Sequence, residues 1–288
     1  LIAATIENKK ELLIPGPSYP LYISYTKFFD GVPIEYELDE SNNWEPNIDD
    51  LRKKITDKTQ AIVICSPNNP TGVMYSEKMI KNIIDIAGEY GLFIISDEIY
   101  DQIIFEKEFT CPATLSNDVP IIGLNGFSKT HLATGWRLGY MYYHDPENRL
   151  HDLKEGIAKM ARARLSASST AQYAAIEIVK NPGTHTKEMV AKLKERRDYS
   201  YERLRKIEGI TCVEANGAFY LFPKFDFTEL KKWKNDKEFV IDFLKTTGVC
   251  TVYGSGFGQY GNDHVRFTFL PKIEILETVY NLLEEFIG

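Results

Sequence analysis

Three short, uninterrupted apolar runs constrain this chain more than any other feature: Ala61-Ile62-Val63-Ile64-Cys65, Leu92-Phe93-Ile94-Ile95 and Ile121-Ile122-Gly123-Leu124. Alternating with helical stretches, such runs read as parallel strands buried on both faces. Each is followed at once by groups that can do chemistry. Ser66-Pro67-Asn68-Asn69-Pro70-Thr71-Gly72 follows the first, Ser96-Asp97-Glu98-Ile99-Tyr100 the second and Asn125-Gly126-Phe127-Ser128-Lys129-Thr130 the third. Groups at the carboxyl ends of parallel strands converge on one crevice. Asn69, Asp97 and Lys129, far apart in sequence, are therefore expected to be neighbours.

Lys129 is the most telling of these. It stands at a predicted strand-to-helix turn among small residues, eight positions before Arg137 in Thr134-Gly135-Trp136-Arg137-Leu138-Gly139. A lysine that loses its proton can attack a carbonyl, and an arginine two helical turns on can grip a phosphate. The pair suits a phosphorylated aldehyde. Taken singly, each residue has a plainer reading. Lys129 could be a solvated surface lysine, Asp97 a helix cap, Asn69-Pro70-Thr71-Gly72 only a turn, Tyr19 a packed loop aromatic and Arg266 half of a surface ion pair. Their fixed order along one chain favours the chemical reading.

In that order and content the chain resembles the class I/II, fold-type I aminotransferases that use pyridoxal phosphate (PLP). The resemblance covers nearly the whole sequence and implies the following roles. Lys129 bonds to the cofactor, and Asp97 pairs with the pyridine nitrogen and keeps it protonated, which PLP chemistry requires. Asn69 and Tyr100 bond the ring's phenolic oxygen. Arg137 holds the phosphate with its planar fork, and Ser128 adds a hydroxyl there. Tyr19, in Pro15-Gly16-Pro17-Ser18-Tyr19-Pro20, stacks on the ring. Arg266, in His264-Val265-Arg266-Phe267-Thr268-Phe269, binds the substrate's α-carboxylate beside Asn69. Asp145-Pro146-Glu147-Asn148-Arg149-Leu150, Lys194-Glu195-Arg196-Arg197-Asp198-Tyr199, Gly217-Ala218-Phe219-Tyr220-Leu221-Phe222-Pro223-Lys224 and Gly254-Ser255-Gly256-Phe257-Gly258 look like the archaeal and bacterial alanine aminotransferase branch. Alanine with 2-oxoglutarate is the expected pair. Aspartate or aromatic transamination, C–S lysis on the same fold and a non-catalytic ligand-sensing role are the alternatives.

Two departures stand out. Many relatives carry serine three residues before the lysine, where this chain has Gly126, so a slightly altered phosphate cup is expected. The opening Leu1-Ile2-Ala3-Ala4-Thr5-Ile6 reads as the middle of a helix. A segment of roughly a hundred residues is expected upstream, with a helix N-terminus whose amides would cradle the phosphate.

The expected architecture is α/β: a mostly parallel sheet with helices on both faces, then a smaller α+β C-terminal domain. The boundary is placed at 190, giving 1–190 and 191–288. Strands are expected at Glu11–Ile14, Val32–Tyr36, Gly139–Tyr143, 210–214, 218–222, 249–253 and 265–269, and helices near 76–90, 187–206, 237–247 and 272–286. The charged stretch 187–206 reads as one solvated helix face. With Arg266 on the small domain and Lys129 on the large one, closure over substrate would complete the site. Arg162-Ala163-Arg164-Leu165-Ser166, before a helix starting near Thr170, matches the family's dimer interface, so a homodimer is expected.

Bulk properties limit the rest. The chain's 288 residues, 43% hydrophobic and 26% charged, suit a soluble protein with a sizeable core. A net charge of −7 argues against nucleic-acid partners. No apolar stretch approaches the ~20 residues of a membrane span. The isolated Cys65, Cys111, Cys212 and Cys250 read as reduced, mostly buried thiols of a cytoplasmic protein. The five histidines (131, 144, 151, 185 and 264) lack metal-ligand spacing, so no metal is expected.

Overall fold

The apolar runs form the centre of a seven-stranded sheet. The structure, a computed structural model, describes residues 1–181 and 183–288. The strands are β1 (Glu11–Gly16), β2 (Val32–Asp39), β3 (Glu45–Pro46), β4 (Thr59–Cys65), β5 (Phe93–Asp97), β6 (Ile121–Gly126) and β7 (Gly139–His144). They lie in the order β3-β2-β1-β4-β5-β6-β7. Strands β2, β1, β4, β5 and β6 are parallel, and β3 and β7 close the edges in the antiparallel sense. Ile62, Val63, Ile64, Ile94, Ile95, Ile121 and Ile122 are all fully buried, as strands covered on both faces require. From β1 the chain winds one way to β2, and from β4 it winds the other way through β5 to β6. The reversal between β1 and β4 opens a crevice at the strands' carboxyl ends.

Helices α1 (Ile2–Thr5), α2 (Pro20–Phe28), α3 (Ile48–Lys54) and α4 (Glu77–Glu89) belong to this half of the chain. Ser76 starts α4 by accepting a hydrogen bond from the Met79 amide (3.3 Å), and Ile80, Ile83, Ile84 and Ala87 form its buried stripe. Helices α5 (His151–Arg164), α6 (Ser169–Lys180) and α7 (His185–Leu204) follow. The C-terminal part comprises β8 (Ile210–Thr211), β9 (Tyr220–Leu221), β10 (Lys224–Phe225), α8 (Phe227–Leu230), α9 (Asp236–Thr247), β11 (Val252–Tyr253), β12 (Val265–Thr268) and α10 (Ile273–Ile287). Its core is aromatic. Phe239, Phe243 and Phe286 pack with Trp233, and Leu276, Tyr280 and Leu283 line the inner face of α10.

Several expectations need correction. The small-sheet strands are shorter than their apolar patterns suggest. Backbone groups of the extended segment around 218 turn away from the ladder: the Ala218 amide donates to the Ile103 carbonyl and Phe105 N to Asn216 O. The charged stretch of α7 is not uniformly solvated. Arg197 is 1% exposed; its guanidinium reaches Glu106, Asp198 and the Ala215 carbonyl, and it lies 5.0 Å from the Phe105 ring centroid. Arg197→Leu is expected to destabilise the fold by roughly 2–4 kcal/mol, because it strands a buried carbonyl and removes three partners. Urea denaturation measures this; a change below about 0.5 kcal/mol would make the network ornamental. Of the cysteines, all free, only Cys65 is buried, Cys111 and Cys212 being half-buried and Cys250 exposed. Loops rather than strand interiors carry the other three.

Candidate active site

Turns after β4 and β6 deliver Asn69 and Lys129, whereas Asp97 is the last residue of β5 and Arg266 lies within β12. After β4, the Asn68 side chain accepts from the Thr71 amide (3.2 Å) and the Gly72 amide returns to the Asn68 carbonyl (2.9 Å), a tight turn that fixes Asn69. Gly72 takes φ +71°, and an added Cβ there would overlap the Tyr220 carbonyl. Asp97 ends β5. After β6, the Leu132 amide closes a turn on the Lys129 carbonyl (3.3 Å). The predicted helix between Lys129 and Arg137 is absent. Turns and a 3-10 segment (Thr134–Trp136) take its place, and Leu132 and Arg137 adopt left-handed φ of 53° and 52°, which breaks helical propagation.

All eight expected residues line one crevice of about 530 Å³: Tyr19, Asn69, Asp97, Tyr100, Ser128, Lys129, Arg137 and Arg266. Asn69 Oδ1 accepts from Arg266 Nη1 (2.9 Å), which leaves the Asn69 amide hydrogens free to donate elsewhere. Arg266 Nε is buried without a hydrogen-bond partner among the described residues. Arg137 bonds the Thr134 carbonyl (2.9 Å) and is otherwise exposed to the crevice mouth.

Two residues escaped the sequence reading. Tyr22, on α2, donates to Asp97 Oδ2 at 2.7 Å. Nothing in its local sequence marks it, since the contact joins positions 75 apart. Tyr220, on β9, lines the crevice and lies 2.8 Å from the Tyr100 hydroxyl. Its spacing-two relation to Phe222 on an extended segment was the available signal.

The electrostatics are sharply divided. Burial lowers the Lys129 amine below the ordinary lysine value; Arg266 and Arg137 add to that, and Asp97 opposes it. Burial raises the Asp97 carboxyl, against the Tyr22 hydroxyl, the Ile99 amide and the charge of Lys129. The crevice thus pairs an amine disposed to be uncharged with a carboxylate that lacks a full counter-charge.

The profile "Aminotransferase class I and II" matches residues 1–281. The chain belongs to that family. Glutamate-pyruvate aminotransferase AlaA of Escherichia coli (strain K12) is 35% identical over 99% of this chain and 71% of its own length. A probable aspartate aminotransferase of Methanocaldococcus jannaschii is 34% identical, over 99% of this chain and 73% of that protein. The solved alanine aminotransferase from Pyrococcus furiosus superposes with a TM-score of 0.96 at 51% identity, covering 99% of this chain and 72% of that one.

The cofactor of this aminotransferase is PLP. The donor set fits it: an acid for the ring nitrogen, an amine whose proton is loosened by burial for the aldehyde, free amide and phenol donors for the phenolic oxygen, and an exposed arginine for the phosphate. At Gly126 an added Cβ would lie 3.1 Å from both Gly139 Cα and the Leu138 carbonyl. The close approach of β7 leaves little room there for the serine that many relatives carry.

Proposed function

We propose that this aminotransferase moves the amino group of L-alanine to 2-oxoglutarate. One observation carries the reading: a single crevice holds a depressed lysine, an acid at its floor, and an arginine whose Nε awaits a partner. The names of the E. coli and P. furiosus proteins favour alanine over aspartate.

In this reading Asp97 pairs with the ring nitrogen, Tyr100 and the Asn69 amide donate to the phenolic oxygen, Arg137 and Ser128 hold the phosphate, and Tyr19 covers the ring. Bound PLP supplies an electron sink for the charge left when the substrate's Cα–H bond breaks. Arg266 grips the substrate carboxylate bidentately and so orients Cα. Lys129, whose Nζ lies in the same crevice as Arg266, would take the substrate's Cα proton as general base. Burial and two neighbouring arginines lower the affinity of that Nζ for its proton, which favours the base form.

The same reading includes a homodimer in the cytoplasm and a domain boundary near 190. Exposed Leu132, Trp136, Leu165, Tyr173 and Val179 supply apolar surface for the dimer. Adding L-alanine to the PLP-loaded chain should bleach its visible band and release pyruvate, and 2-oxoglutarate should restore the band. A band that only aspartate or tyrosine bleaches would shift the substrate; catalytic release of pyruvate, ammonia and sulfide from L-cysteine without an acceptor, by loss of its β-thiol, would replace transfer by lysis. Arg266→Lys keeps the charge but loses the fork. It is expected to raise KM for L-alanine roughly 100-fold, measured by initial rates; an unchanged KM would remove Arg266 from carboxylate binding.

A further inference from the structure

Strand pairing makes Tyr220 and Arg266 neighbours. Tyr220 on β9 lies opposite Thr268 on β12. Side chains alternate along a strand, so Arg266 shares the face of Thr268 and stands diagonally across from Tyr220. Accordingly the Arg266 guanidinium carbon sits 4.5 Å from the Tyr220 ring centroid, and 4.8 Å from that of Phe257. Both contacts are of the cation–π kind. At its other end the Tyr220 ring places a hydroxyl 2.8 Å from that of Tyr100, with the rings edge to face at 5.8 Å. One side chain therefore touches both the carboxylate-binding arginine and a phenol assigned to the cofactor.

We propose that Tyr220 is a positioning residue with two duties: its hydroxyl aims and polarises the Tyr100 hydroxyl, and its ring seats the Arg266 guanidinium. The proposal deepens the reading above and rests on it. A phenol carries one proton. If Tyr100 gives its proton to the cofactor's phenolic oxygen, the proton between the two tyrosines comes from Tyr220. Receiving that bond makes Tyr100 a stronger donor, since hydrogen bonds in a chain polarise one another. Burial supports this by holding both phenols protonated. It pushes Tyr100 well above the ordinary range, with Tyr220 adding to the rise, and it raises Tyr220 against Tyr100 and Arg266. The other groups facing the pair are Cys65 from β4, Asp97 from β5 and Tyr19 from the loop after β1. Lys129 sits 5.6 Å from the adjoining Phe219 ring.

The test compares holoenzymes carrying Tyr220→Phe, Tyr220→Leu, Tyr100→Phe and the double Tyr100→Phe/Tyr220→Phe. The readouts are the pH midpoint of the visible absorption and the KM and kcat for L-alanine. Donors to the phenolic oxygen lower that midpoint. Tyr220→Phe keeps the ring, so it is expected to raise the midpoint by roughly half a unit with KM held within about twofold. Tyr100→Phe raises it further, and the second substitution then adds nothing. Tyr220→Leu removes the ring and raises KM roughly tenfold. A wild-type midpoint in Tyr220→Phe, or an equal shift in the Tyr100→Phe background, overturns the hydroxyl's duty; an unchanged KM in Tyr220→Leu overturns the ring's. Failure of the reading beneath shows differently, as a wild-type absorption band that survives Lys129→Ala.

Discussion

Lys129→Ala should lose the visible band of the PLP-loaded chain and lower turnover by at least ~10,000-fold, because in the proposed mechanism both the covalent attachment point and the general base go with one amine. The fold should survive. The Lys129 side chain forms no salt bridge among the described residues, and its nearest aromatic contact is at 5.6 Å. A thermal midpoint within a few degrees of wild type is therefore expected for the cofactor-free variant. Turnover within tenfold of wild type in a folded Lys129→Ala sample would end the mechanism.

Asp97→Asn should separate stability from function. Burial raises the Asp97 carboxyl in the fold, so the folded chain binds this proton more tightly than the unfolded one. The sign follows: as pH climbs from the ordinary carboxylate value through the raised one, the unfolded state loses its proton first and folding stability falls. Below that window the protonated acid carries no such penalty. The cofactor-free Asp97→Asn variant should thus melt a few degrees higher than wild type at neutral pH and lose its advantage in acid. With PLP present the order should reverse, since Asn cannot neutralise a protonated ring nitrogen, and turnover should fall roughly 1,000-fold. Calorimetry of both proteins at two pH values, with and without PLP, decides the point. A cofactor-free variant less stable than wild type at neutral pH would mean that Asp97 already has an adequate counter-charge.

The parallel sheet was legible because strands buried on both faces have no solvent side to interrupt their apolar runs. Asp97 and Lys129 were legible because they end such runs. Other features depend on contacts that sequence spacing does not encode. Tyr22 reaches Asp97 only after α2 folds back across the sheet. Arg197 looks like its charged neighbours on α7, yet Glu106 and the Ala215 carbonyl draw it inside. The segment between Lys129 and Arg137 has a helix-like spacing of functional residues, but its geometry is set by two left-handed residues that are not glycine. Short strands of the C-terminal part fared worst. They pair with one another over only two to four residues, and beyond those pairs the backbone turns to loop partners such as Ile103 and Phe105, so a local apolar pattern overstates their length.

The turn at Gly72 bears on how the molecule can move. Its carbonyl accepts from the amides of Asn216 (3.1 Å) and Gly217 (2.9 Å), and Asn216 Oδ1 accepts from the Met74 amide (2.7 Å). The Tyr220 carbonyl is packed so tightly on Gly72 that not even a methyl group fits between them. The turn that carries Asn69 and the strand that carries Tyr220 are thereby riveted together. Any swing of the C-terminal part would have to break these bonds or carry the Asn69 turn along with it. The Asn69–Arg266 hydrogen bond (2.9 Å) spans the same junction, so a motion that keeps the junction intact would keep those two side chains together.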